Sequence, residues 1–88
     1  MSHVPVRLRC LVPGCNHTRG QRKGEPPIRE YEEWICGDHW RLVPRPMRAI
    51  KARAFRRVKR LYSPRAVKAA IRIWRRCARE AIERAMGI

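Results

Sequence analysis

Apolar residues recur along the second half of the chain at helical intervals. Met47, Ile50, Ala54, Val58 and Leu61 are spaced by 3, 4, 4 and 3 residues, with Phe55 and Tyr62 widening the stripe. The pattern predicts an amphipathic helix from Pro46 to Tyr62, and Pro46 suits a first helical position. Ser63-Pro64 then reads as a joint: the serine can cap the next helix, the proline fits its first turn, and so short a turn forces an abrupt change of axis. A second helix is predicted over Pro64–Met86. It places Val67, Ala70, Ile71, Trp74, Ala78, Ala81, Ile82 and Ala85 on one broad face, with Cys77 at the border of that face.

The first half follows a shorter period. Val4, Val6 and Leu8 alternate with Pro5, Arg7 and Arg9, which predicts a strand running to Cys10. Pro13-Gly14 supplies a turn, and Gly14 can take the positive φ that a tight knuckle needs. The polar segment from Asn16 to Pro27 reads as an exposed loop or hairpin tip. Ile28 to Cys36 holds Tyr31, Trp34 and Ile35 among charged residues and predicts a strand. One or two helical turns are expected from Gly37 to Val43, ended by Pro44-Arg45-Pro46. Trp34 and Trp40 are expected in the core.

Candidate chemistry sits at the ends of these elements. Cys10 and Cys15 form a C-x4-C pair, and Cys36 and His39 form a C-x2-H pair after 20 intervening residues. Thiolate and imidazole are the ligands Zn2+ prefers, and four of them fill a tetrahedral structural site with no position left for water. Cys10, Cys15, Cys36 and His39 are therefore read as a Cys3His zinc site. Two readings compete with it: a disulfide or buried free thiols in place of the metal, and His17 in place of His39 as fourth ligand, with His3 a remote third. Asp38 favours a helix start between Cys36 and His39, which makes them the better pair. Cys77 is left over and reads as a small helix-packing residue.

Knuckle, hairpin, then a ligand pair opening a helix is an order that resembles the treble-clef class of zinc fingers over roughly residues 6–43. The resemblance rests on Cys10, Cys15, Cys36 and His39 and is one of fold, which carries no function with it. Some treble clefs are HNH-type nucleases, which need a histidine base and further metal-binding residues. His17 with Asn16 is the one pair here that could serve, and it lies in an expected loop, so the chain is read as a non-enzyme. The expected fold is a small α+β domain over residues 1–88, with a zinc-stapled knuckle and hairpin in residues 1–44 and two arginine-rich helices joined at an angle in residues 45–88.

Charge separates the halves further. The chain carries 22 Lys and Arg against 7 Asp and Glu, for a net +15. Residues 1–44 hold seven basic and five acidic residues, whereas residues 45–88 hold fifteen and two. Eighteen of the basic residues are arginine, whose planar fork suits phosphate and guanine edges. On the first helix Arg48, Arg53, Arg56, Arg57, Lys59 and Arg60 are expected opposite the apolar stripe, while Lys51 falls near it. On the second, Arg65, Lys68, Arg72, Arg75, Arg76 and Arg79 cluster on the outer side and span about 21 Å at the helical rise.

Such a surface attracts polyanions, and the leading expectation is binding to DNA or RNA through Arg48, Arg53, Arg56, Arg57, Lys59, Arg60, Lys68, Arg72, Arg75, Arg76 and Arg79. The role would be regulatory or within a nucleoprotein assembly. The alternative is a module that docks on, and regulates or inhibits, an acidic protein or a nucleic-acid enzyme through the same cations. The alanines of the second helix also allow a homodimer through that helix. No apolar run reaches the roughly 18 residues of a membrane span, and no targeting segment is visible, so no membrane partner is expected. A cytoplasmic or nucleoid-associated location follows as the expectation.

Overall fold

The computed structural model describes residues 7–29 and 32–88. The expected strand residues Val4 and Val6, with His3, Glu30 and Tyr31, lie outside the described residues.

Two short strands, β1 (Leu8–Arg9) and β2 (Thr18–Arg19), pair antiparallel with Leu8 opposite Arg19 and Arg9 opposite Thr18. Between them the chain turns through the first ligand pair. Cys15 N–H donates to the Val12 carbonyl at 3.1 Å, and Gly14 has φ +83°, as the third residue of a type II turn with proline second requires. The expected order was knuckle and then hairpin; here the strands flank the knuckle, because its tight turn is what brings them side by side.

The strand expected over residues 28–36 is replaced among the described residues by one bridge between Cys10 and Trp34. Leu11 N–H donates to the Trp34 carbonyl at 2.9 Å. Gln21 occupies the turn before it: its side-chain amide donates to the carbonyls of Arg22, Glu25 and Pro26 and accepts from Ile28 N–H at 2.7 Å. With the backbone hydrogen-bonding groups engaged locally in this way, segment 20–29 forms a loop and not a ladder.

Three helices follow: α1 (Gly37–Trp40), α2 (Arg45–Leu61) and α3 (Pro64–Met86). Ser63 caps α3 as expected, its hydroxyl accepting from Ala66 N–H at 3.1 Å. The change of axis at the joint is a reversal. Met47, near the start of α2, lies beside Cys77 in the later part of α3, where the thiol reaches the Met47 carbonyl at 3.9 Å. Lys51 lies over Trp74. The helices thus form an antiparallel αα-hairpin.

The packing faces differ from the expected stripes. On α2, Ile50 and Leu61 are 49% and 54% exposed, and Met47, Lys51, Ala54 and Val58 turn inward. On α3, Cys77 is fully buried rather than at a border, Ala66, Ala70, Ala78 and Ala81 are buried as well, and Ile71 is 45% exposed. The cause is size. Close helix approach selects the small side chains for the contact line and rotates the large ones to its flanks.

Helix α3 is a wall shared by both halves. Its buried Cys77, Ala78 and Ala81 belong to one core with Val12, Ile35 and Val43, and Trp40 and Trp74 pack against that core from its edge. No helix among the described residues is long and apolar enough to cross a membrane.

Candidate metal centre and basic surface

Cys10, Cys15, Cys36 and His39 converge, with their ligand atoms all within 4.8 Å of one another. Cys10 and Cys15 stand at the two ends of the knuckle. Cys36 precedes α1 and His39 lies one turn on, where a helical i, i+3 relation puts both side chains on one side. The Cys36 and His39 donors, Sγ and Nδ1, are 3.2 Å apart. Cys10 Sγ is 3.5 Å from His39 Nδ1, and Cys15 Sγ is 3.8 Å from Cys36 Sγ. A tetrahedral ion with bonds of about 2.3 Å to sulfur and 2.0 Å to nitrogen sets its ligands about 3.5 to 3.8 Å apart. These three separations are therefore close to the edge lengths of a metal tetrahedron.

The electrostatics suit a cation. Burial works against ionisation of Cys10, but hydrogen bonds from the Cys36 and Val12 backbone and from His39 outweigh it and bring the thiol down to about 7. The Cys36 N–H to Cys10 Sγ distance is 3.3 Å. Cys36 is pushed up by burial and by its two cysteine neighbours. One thiol poised to ionise and another held back by crowding is the state that a divalent ion relieves, since it neutralises both sulfurs at once.

None of the four cysteines is joined in a disulfide. His17 is exposed and contributes its carbonyl, which accepts from Cys10 N–H at 3.1 Å; His39 is the histidine in the cluster. Cys77 stands apart in the helical core, where burial raises its pKa and keeps it a neutral thiol.

The cations divide into two groups. Arg53, Arg56, Arg57, Lys59 and Arg60 are exposed and surround one hollow on α2. Lys68, Arg72, Arg75, Arg76 and Arg79 are exposed and surround a separate hollow on α3. The two hollows share no residue. Arg48 is the exception among the expected binding residues. It is half-buried, and its Nε donates to the Val43 carbonyl at 3.1 Å, because it sits one turn into α2 beside the chain that enters the helix. Among the described residues the ion pairs are Arg19 with Glu25 and Arg84 with Glu80, so no carboxylate pairs with either row.

Two side chains outside the expected sites tie the module to the hairpin. Glu33 accepts the Trp74 indole N–H at 3.1 Å, and Trp74 stacks on Trp40 with ring centroids 6.0 Å apart. Lys51 lies over Phe55, Trp40 and Trp74, its Nζ 4.1, 5.6 and 5.9 Å from the three ring centroids. Sequence reasoning missed the first contact, for which the cluster of Glu30, Glu32 and Glu33 in a basic chain is the available signal, and the position of Lys51 near the apolar stripe hinted at the second.

The chain matches no protein-family model, no curated protein and no solved structure.

Proposed function

We propose that this chain is a small zinc-stabilised nucleic-acid-binding protein that holds phosphates on the outer sides of α2 and α3 and carries out no turnover. The observation that carries the reading is the pair of exposed basic rows, Arg53 to Arg60 and Lys68 to Arg79, left without carboxylate partners among the described residues. Helix α2 contains no acidic residue, and α3 contains only Glu80 and Glu83. Cations that served the fold would be paired or buried along their stems, whereas these are free for phosphate.

Three thiolates and an imidazole favour Zn2+ over the harder divalent ions, and a site closed by four protein ligands is structural. A knuckle facing a ligand-bearing helical turn supports a treble-clef-like reading of the module. Its work is to brace α3 through Trp40 and Glu33, which fixes the second basic row relative to the first. DNA and RNA both offer the phosphates, and either a regulatory role or one within a nucleoprotein assembly fits a protein that binds without reacting.

The test is binding of zinc-loaded protein to duplex DNA, duplex RNA and single strands at 50 and 200 mM salt. If six or more phosphates are engaged, affinity for at least one of them falls by about a thousandfold between the two conditions. Joint replacement Arg56→Gln, Arg57→Gln and Arg60→Gln weakens binding across sequences and lowers the salt slope by about one for each phosphate no longer held. No binding at 50 mM salt with zinc in place would overturn the reading and turn the search to an acidic protein partner.

A further inference from the structure

The joint between α2 and α3 carries a cleft that shares Arg53 and Arg57 with the α2 row. It holds about 510 Å³, and Arg53 and Arg57 of α2, Arg65 of α3 and Ser63 line it above a small apolar floor that includes Ala66 and Ile73. Three guanidinium groups from two helices thus border one hollow, and none of them is ion-paired among the described residues. Ser63 accepts from Ala66 N–H as the α3 cap and keeps its hydroxyl proton to donate.

The residue next to Ser63 is unusual in a second way. Tyr62 is 81% exposed, yet its backbone is left-handed, with φ 41° and ψ 51°, and its N–H closes α2 by donating to the Val58 carbonyl. Glycine takes that conformation at a helix end without strain, and a side chain with a Cβ does not. A ring that is neither buried nor suited to its backbone contributes little to the fold. Strained positions of this kind concentrate where a side chain serves binding.

We propose that the joint is a seat for one unpaired nucleotide of a bound strand. Arg53, Arg57 and Arg65 hold its phosphate, Ser63 donates a hydrogen bond to a phosphate oxygen, and the Tyr62 ring stacks on its base. The inference rests on the nucleic-acid reading above and narrows it. A perfect duplex offers phosphates to the two rows but no free base face to Tyr62, so the seat favours single strands or a strand with a bulged base.

The experiment compares wild type, Tyr62→Phe and Tyr62→Gly as zinc-loaded full-length protein. Melting temperature is measured for each, with affinity for a single-stranded DNA 20-mer, the matching RNA and the blunt DNA duplex. Tyr62→Phe keeps the stacking face and is expected to bind all three as wild type does. Tyr62→Gly is expected to melt higher, because it relieves the backbone. It should bind the single strands about five- to 150-fold more weakly, the range for removal of one base stack, with duplex affinity unchanged. Arms with DNA and RNA show which strand the seat prefers.

Equal losses on duplex and single strand, unchanged single-strand binding by the glycine variant, or a fall in its melting temperature would each overturn the seat. Wild-type protein that binds duplex with a steep salt slope and ignores single strands sinks the seat and leaves the nucleic-acid reading standing. Protein that binds neither removes both.

Discussion

The metal module and the helical hairpin hold their shapes by different means. Residues 7–43 contain two-residue strands and a four-residue helix, too little regular structure to fix a chain, and their geometry converges on four ligand atoms. Residues 45–86 contain two helices of 17 and 23 residues, packed together along the small buried side chains of α3. The first region is specified by a few irreplaceable groups, the second by many interchangeable ones. The lesson is where each is expected to be vulnerable: the module to loss of one of its four converging groups or of an ion they chelate, the hairpin to changes of volume along its packing line.

Metal removal should expose the contrast most sharply. Structural zinc contributes on the order of 10 kcal/mol to small metal domains. A strong chelator is expected to abolish the near-ultraviolet circular dichroism of Trp34 and Trp40 while most of the helical signal at 222 nm remains. Loss of both signals together would show that the hairpin has no stability of its own and would break the comparison.

Trp74→Ala comes next, since this residue joins the regions by stacking on Trp40 and donating to Glu33. Truncating a half-buried tryptophan is expected to cost about 2 to 3 kcal/mol. Denaturant melts should then separate into two transitions, one sensitive to chelator and one not. A single transition with unchanged midpoint would place the coupling elsewhere.

The smallest effect concerns Lys51. Burial among Trp40, Phe55 and Trp74 strips water from its ammonium and lowers its pKa below the usual 10.5, with the nearby Cys77 opposing that shift. The native state therefore releases this proton at lower pH than the unfolded chain. Stability contributed by this group rises as pH passes the lowered value and levels off near 10.5. Lys51→Met removes the titration. The melting temperature of wild type relative to this variant is expected to climb with pH up to that point, and a constant difference would deny that Lys51 is desolvated.

How much was legible in the sequence follows the same division. Cys10, Cys15, Cys36 and His39 could be read from spacing because metal geometry is local and strict, and α3 ran over Pro64–Met86 as its cap and period indicated. The packing lines of the helices could not. Periodicity weights large residues such as Ile50, Leu61 and Ile71, whereas the packing selects Ala54, Ala70 and Cys77, a preference that exists only once two helices meet. The half-buried position of Arg48 was not legible for a similar reason, since the carbonyl it binds is presented by the chain entering α2. Of the strand expected near Trp34 the described residues keep one bridge, and the Gln21 side chain holds the backbone that leads into it, a choice that β propensity does not record.

The shared wall has a consequence for the order of assembly. Chains are made from the first residue onward, so the four ligands at 10, 15, 36 and 39 emerge from the ribosome before Trp74, Ala78 and Ala81 of α3 emerge to pack against them. The nascent module has its clasp before it has its backing. A metal ion captured then would act as a temporary scaffold, holding the knuckle and α1 in place until the last helix arrives to complete the core.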